Sequence, residues 1–334
     1  EFLTKLTKYI SDSGVSSIQA SVSTYNERFH VSPDMYIPDP PSPDLRIVVV
    51  VPAFREKEIL FLNDLKNCVP PALGMELIIV ANDYENHATS VAMFEKTQRQ
   101  STAIHVDNLR IHVIQKFDFD IKKHGVGMAR KLGMDEALKR FGIIDHNGWI
   151  VCLDADCTIS KNYFRILEDA LKKDFTSATL HFEHPYHHLD EAHQCGILSY
   201  ELFLRYYKEC LKWAGFPYYF HTVGSSMAVR AETYAKVGGM NKRKAGEDFY
   251  FMHKVFPMGP VQEINAPLVF PSPRISSRVP FGTGRAMLNW QHKENRNYLI
   301  YPFEIFVLLK EFLSGDGQWQ FENPPIHTLL QECL

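Results

Sequence analysis

Trp149-Ile150-Val151-Cys152-Leu153-Asp154-Ala155-Asp156-Cys157 is the stretch on which the reading of this chain turns: an apolar run, entered through Asn147-Gly148, that stops in two carboxylates one residue apart. A short apolar run without alternation predicts a strand buried on both faces, the kind a mostly parallel sheet contains. Ligands of such open sheets collect outside the carboxyl ends of the strands, which puts Asp154 and Asp156 on a binding rim. Working outward, Ile47 to Val51 and Glu76 to Ala81 read as two more buried strands. The first ends at Pro52 and the second hands Asn82 and Asp83 to the same rim. Helical spacing through Ile59, Leu60, Leu62 and Leu65, a helix around Ala88 to Gln98 and a strand at 110–114 continue the alternation. Further on, a helix is expected over 161–172, a strand over 177–183 and an aromatic-rich helix over 197–213. The fold class is therefore α/β, a mostly parallel central sheet flanked by helices.

Alternation along an extended chain turns Asp154 and Asp156 to one side and Ala155 to the other. Two carboxylates crowded together need a cation. A hard divalent ion such as Mg²⁺ or Mn²⁺ is usually held by one or two carboxylates plus substrate phosphates, so the pattern points to a phosphorylated substrate. The competing reading is that Asp156 caps the helix over 161–172, or that both acids are solvated turn residues. Lys123 to Arg130 sets Gly125 and Gly127 ahead of another helix. Glycines there let backbone N–H groups approach an anion and Arg130 adds positive charge, although a tight turn explains the glycines equally well. Gly246-Glu247-Asp248 opens a further helix, where capping alone accounts for acids in the first turn. Pro271 to Arg285, rich in Pro, Ser, Gly and Arg and carrying Arg274 and Arg278, reads as a mobile loop over phosphates or as a solvated basic loop. His184, His187, His188 and His193 match no standard zinc spacing and are expected in a surface loop.

The 334 residues suffice for one large α/β domain or two smaller ones. Lys and Arg number 36 against 39 Asp and Glu, a formal charge of −3, so no global field marks nucleic acid or anionic lipid as the main partner. The six cysteines form no C-x-x-C pair, which fits a reducing, cytoplasmic setting, and no signal peptide is seen. Tyr298 to Leu313 is the most lipid-like stretch, but it is too short and too charged to span a bilayer. An amphipathic helix is expected there, with at most peripheral membrane contact. A short helix at 2–10, a Ser-rich segment and the proline run 38–43 form an extension and linker, dividing the chain into 1–44, 45–290 and 291–334.

V-V-V-P-A-F-R-E, a strand ending in N-D, G-x-G-x-A-R, D-A-D and G-G-M…G-E-D follow one another in an order that resembles the family 2 glycosyltransferases with a GT-A fold, from about Arg46 to Phe256. The resemblance implies transfer of a sugar from a nucleoside-diphosphate sugar to a hydroxyl of a carbohydrate or lipid-linked carbohydrate. It implies that Pro52, Ala53 and Glu56 line the nucleotide pocket, that Asp83 reads the base, and that Gly125, Gly127 and Arg130 lie beside the nucleotide. Asp154 and Asp156 would bind Mn²⁺ or Mg²⁺, with Arg274 or Arg278 helping to neutralise the diphosphate. Glu247-Asp248 match the acidic pair whose second member is the base of an inverting displacement. Where the family usually has two acids followed by Gly-Ser, this chain has Asn82-Asp83-Tyr84-Glu85. The Q-x-x-R-W motif and membrane helices of processive synthases are absent, which implies a non-processive enzyme. Two other classes compete: a nucleotidyltransferase, for which Pro52 to Glu56 is a poor triphosphate loop, and a catalytically idle scaffold, against which the intact Asp154, Asp156 and Asp248 argue.

Overall fold

The computed structural model describes residues 17–32, 34–172, 174–278, 280–292 and 298–315; the short helix expected at 2–10 lies outside them. Eight strands form one sheet: β1 (Leu45–Ala53), β2 (Gly74–Asn82), β3 (Leu109–Lys116), β4 (Trp149–Cys152), β5 (Thr158–Ile159), β6 (Ser177–Phe182), β7 (Met227–Arg230) and β8 (Val261–Phe270). The helices are α1 (Ile18–Phe29), α2 (Ala88–Ala103), α3 (Val126–Ile143), α4 (Tyr163–Ala170), α5 (Glu191–Trp213), α6 (Ala231–Lys236), α7 (Glu247–Val255), α8 (Thr283–Gln291) and α9 (Phe303–Ser314).

The strand order is β3-β2-β1-β4-β7-β6-β8-β5. β1 pairs in parallel with β2 and β4, and β2 with β3, so the chain runs outward from β1 and then returns to its other side. Such a reversal opens a crevice at the carboxyl ends of β1, β2 and β4, because the connections leave the sheet there in opposite directions. β7 runs antiparallel to β4, with Met227 opposite Cys152, so the loop entering β7 reaches the rim that β4 exits. The apolar runs are buried as their composition demands: Val48, Val50, Val51, Ile78 to Val80 and Ile150 to Cys152 are all 0 % exposed.

The described residues of 1–183 and 222–272 form one compact unit, and those of 184–221 and 273–334 form a second. In the first, α3 packs against β1, β2, α1 and α6, and nearly all its residues are buried, polar ones included. Asp135 accepts hydrogen bonds from Tyr25 of α1 (2.7 Å) and Tyr234 of α6 (2.6 Å). Glu136 takes the amides of Tyr36 (3.1 Å) and Ile37 (2.9 Å), so the residues just before the proline run are clasped to α3. The helix expected through Ile59 to Leu65 is replaced by two short 3₁₀ turns, Leu60–Asn63 and Leu65–Asn67. The cause is tertiary: the Leu60 amide donates to the Ala155 carbonyl (3.1 Å) and Asp64 accepts the Ile159 amide (3.2 Å), tying the segment to the loop after β4 and to β5.

The second unit is helical where described. α9 lies along α5, with Trp213 against Phe303 (centroids 4.8 Å apart) and Phe306 edge-on to Tyr206 (5.9 Å). The helix expected from Tyr298 starts after Pro302, whose missing N–H suits a helix boundary. His193 belongs to the first turn of α5 rather than to a loop. The described residues between 271 and 282 carry no helix or strand, but Thr283 to Arg285 open α8, and the Ser276 amide donates to the Gly284 carbonyl (3.1 Å). Among the described residues no helix is long and apolar enough to cross a membrane.

Candidate active site

β4 delivers Asp154 to the rim two residues after Cys152, α3 brings Arg130 in its second turn, and α7 opens with Glu247 and Asp248. These four residues meet in the first unit. Arg130, 2 % exposed, donates through Nη2 to Asp154 Oδ1 (3.0 Å), through Nε to Glu247 Oε1 (3.3 Å) and through Nη1 to the Gly224 carbonyl (2.9 Å). A single buried cation thus faces three acids. Burial would lower the Arg130 guanidinium, but Asp154 and Glu247 hold it well above its ordinary value. Burial pushes the Glu247 carboxyl up to about 7; Arg130 opposes the rise, and the charges of Asp248 and Asp154 add to it. The Asp248 carboxyl is raised as well, by burial first and by Asp154 in addition, against the pull of Arg130. One cation cannot hold all three carboxyls ionised in so dry a place, so two of them keep protons to higher pH than a solvated acid.

Gly224, in the loop entering β7, makes the cluster possible. A Cβ there would stand 2.7 Å from Arg130 Nη2 and 3.1 Å from Asp248 Oδ2. Nothing in the sequence around Gly224 signals this role, because it depends on the antiparallel β4–β7 pairing. Gly125 and Gly127 also answer to close approach. A Cβ on Gly125 would lie 2.7 Å from the Lys244 Cα, one on Gly127 would run into the Asn241 and Arg243 carbonyls, and the Gly127 amide donates to the Arg243 carbonyl (3.2 Å). The glycines let residues 241–247, which lead into α7, lie on the start of α3.

Asp154 is 38 % exposed, so one face of its carboxylate looks outward while Arg130 covers the other. Asp156 caps no helix: the N-cap of α4 is Asn162, without a side-chain bond. Asp248 accepts the Phe249 amide (2.8 Å), but the N-cap of α7 is Gly246, so capping explains part of its environment only. Among the described residues no three His, Cys, Asp or Glu side chains converge in a metal-binding group.

Pro52 and Ala53 end β1, with Ala53 fully buried and Glu56 8 % exposed. Asp83, just past β2, is 0 % exposed and accepts from Arg55 Nε and Nη2 (2.9 Å each), Ser90 Oγ (2.6 Å) and the Tyr84 amide (2.7 Å). Burial alone would raise its carboxyl; these donors hold it below the usual carboxylate range. Arg55 is a rim residue that the reading of motifs passed over. Its only sequence signal was an arginine two residues past the end of β1. Arg274 and Arg278 belong to the second unit.

No protein-family model matches the chain, and no curated protein matches it. Similar solved structures include S. aureus TarS, at 15 % identity and a TM-score of 0.42 over 68 % of this chain and 36 % of TarS. Another is the mannosyltransferase PcManGT from Pyrobaculum calidifontis in complex with GDP-Man and Mn²⁺, at 15 % identity and a TM-score of 0.43 over 78 % of this chain and 70 % of that one. The chain therefore spans about a third of the length of TarS.

Proposed function

We propose that this chain is a metal-dependent, inverting glycosyltransferase of the GT-A type, similar to family 2, that moves a sugar from a nucleoside-diphosphate sugar to the hydroxyl of a carbohydrate or lipid-linked carbohydrate. The observation that supports the reading is the crowding of Asp154, Glu247 and Asp248 around the buried guanidinium of Arg130, with two of the three carboxyls raised. A general base works best with a pKa near the operating pH, and a raised carboxylate at a rim meets that need. In the reaction the acceptor oxygen bonds to the anomeric carbon from the face opposite the leaving group. The bond from that carbon to the diphosphate oxygen breaks, its electron pair leaves with the diphosphate, and Asp248 takes the hydroxyl proton. Arg130 keeps Asp154 and Glu247 oriented around the reacting atoms. Pro52, Ala53 and Glu56 would wall the nucleotide.

Asp156 and the outward face of Asp154 suit Mn²⁺ or Mg²⁺, because such ions take carboxylate oxygens and fill the remaining positions with water and substrate phosphate. When bound, the ion supplies positive charge against the departing diphosphate. Cys68, Cys152, Cys157, Cys195 and Cys210 are unpaired, which suits a cytoplasmic setting with at most peripheral membrane contact.

The test is turnover of a panel of nucleotide sugars with Mn²⁺ and hydroxyl acceptors. A glycosyltransferase releases nucleoside diphosphate, a nucleotidyltransferase releases pyrophosphate, and an idle scaffold releases neither. Asp248→Asn is expected to slow transfer by about 10²–10⁴-fold, because Asn cannot accept the proton, while donor binding holds. Near-normal transfer by a folded Asp248→Asn protein excludes the base assignment.

A further inference from the structure

Lys242, Arg243 and Lys244 stand in a row on the turn that leads into α7, and all three are exposed. Their backbone is fixed: the Gly127 amide donates to the Arg243 carbonyl (3.2 Å), and Asn241 Nδ2 donates to the Glu247 carbonyl (3.3 Å). Lys244 rests on Gly125, where a Cβ would come within 2.7 Å of the Lys244 Cα. The Arg243 guanidinium lies over the Tyr250 ring, 3.8 Å from its centre, and among the described residues no carboxylate pairs with it or with either lysine. A segment tied down so close before Asp248 holds its cations at the edge of the carboxyl cluster.

Directly after Asp248, α7 turns two aromatic rings outward. Phe249 and Tyr250 are each 46 % exposed and meet edge to face, centroids 5.3 Å apart. His253, one turn on, lies against Phe249 at 4.2 Å and braces its ring; burial lowers the imidazole, so it adds no charge at neutral pH. The core-facing side of the helix is supplied by Phe251, Met252 and Val255, all 0 % exposed, so packing accounts for neither outer ring. The face of an aromatic ring carries partial negative charge and attracts the C–H edges of a pyranose, while lysine and arginine take phosphate oxygens. A neutral glycan would use the rings and leave the cations without a partner. A bare phosphate would do the reverse, and a sugar that carries phosphate uses both.

We infer that this surface is the acceptor site and that the acceptor is a phosphate-bearing carbohydrate, its sugar ring on Phe249 and its phosphate against Lys242 and Lys244. The inference rests on the glycosyltransferase reading above and narrows the acceptor that it leaves open. A free sugar phosphate and a sugar on a lipid diphosphate share the chemistry.

The experiment is titration of acceptor probes into the protein saturated with Mn²⁺ and with whichever of GDP, CDP, UDP and ADP it binds most tightly, which closes the donor site to them. The probes are glucose, galactose, mannose and N-acetylglucosamine, each as methyl glycoside, as 1-phosphate and linked to farnesyl diphosphate. For at least one sugar a phosphate-bearing form is expected to bind about tenfold or more tightly than the methyl glycoside, the scale of one hydrogen bond to a charged group. Equal binding of the two phosphate forms identifies a free sugar phosphate, and a further gain in the farnesyl form a lipid-linked one. Lys242→Glu combined with Lys244→Glu is expected to bring the forms within about threefold of each other. Phe249→Ala is expected to weaken every form about fivefold, the scale of one lost aromatic contact. The substituted side chains are exposed, so denaturation midpoints should hold; should a variant not fold, the wild-type order decides. A methyl glycoside that binds as tightly as its phosphate forms overturns the inference, as does a preference that survives the charge reversal or a Phe249→Ala protein that loses nothing. So does a protein that holds the nucleoside diphosphate and binds no probe. Each of these leaves the glycosyltransferase reading standing, whereas failure of all four nucleoside diphosphates to bind removes both.

Discussion

Helix α3 carries two buried arginines, and their surroundings differ in one respect. Arg140 is 0 % exposed and meets Glu76, equally buried: Nη2 donates to Glu76 Oε1 at 2.7 Å, Nε contacts Oε2, and Nη1 donates to the Asp39 carbonyl at 2.9 Å. The nearby His112 is pushed down by burial and stays neutral, so one cation faces one anion. Arg130, on the same helix, faces three carboxyls. A balanced buried pair has no charge left over with which to do anything and serves to hold elements together. An unbalanced one stores an excess that a proton or a metal ion must settle, and perturbed acids of that kind collect where chemistry happens.

The largest effect expected from this contrast lies at the balanced end. Arg140→Met leaves Glu76 buried without its partner and should cost about 3–5 kcal/mol in stability. Urea denaturation measures it, and nucleotide binding by the protein that remains folded should be unchanged. A loss under about 1 kcal/mol would mean that the pair contributes far less than its burial implies.

A smaller effect, with a definite pH signature, is expected at the unbalanced end. Glu247 rises from 4.5 to about 7 on folding, so between those pH values the native state holds a proton that the unfolded chain has lost. Stability must then fall as pH rises through that window. Asp248, also raised, adds a fall of the same sign. Glu247→Gln has no such proton to lose, so denaturation midpoints taken at pH 5 and pH 8 should differ less in the variant than in the wild type. Equal differences would show that Glu247 is ionised throughout and that the cluster is balanced after all.

Much of the first unit was legible in the residues. β1, β2 and β4 are covered on both faces, so they appear as uninterrupted apolar runs that composition alone identifies. α1 was not legible, since only Ile18 and Tyr25 of its twelve residues are buried and its setting is rich in serine; the available signal was Ser17, whose side chain caps the Gln19 amide at 3.2 Å. The start of α5 was hidden for a similar reason, as its first turn is polar and is marked only by the Asp190 cap on the His193 amide. At the site, D-A-D and G-E-D drew attention to Asp154, Glu247 and Asp248, which the fold gathers around Arg130. Gly224 and Arg55 escaped notice because what they do depends on rim loops distant in sequence. Gly224 meets Arg130 and Asp248, and Arg55 meets Asp83, only once strands order those loops along one edge.

The central claim is that the unbalanced cluster around Arg130 is where a nucleoside diphosphate and a divalent ion meet. The most direct measurement is calorimetric titration of the preferred nucleoside diphosphate, with and without Mn²⁺, into the wild-type protein and Asp156→Ala. The account predicts that Mn²⁺ tightens binding to the wild type by tenfold or more, about 1.4 kcal/mol, and that this gain disappears in a folded Asp156→Ala protein. The same Mn²⁺-dependent gain in both proteins would contradict it.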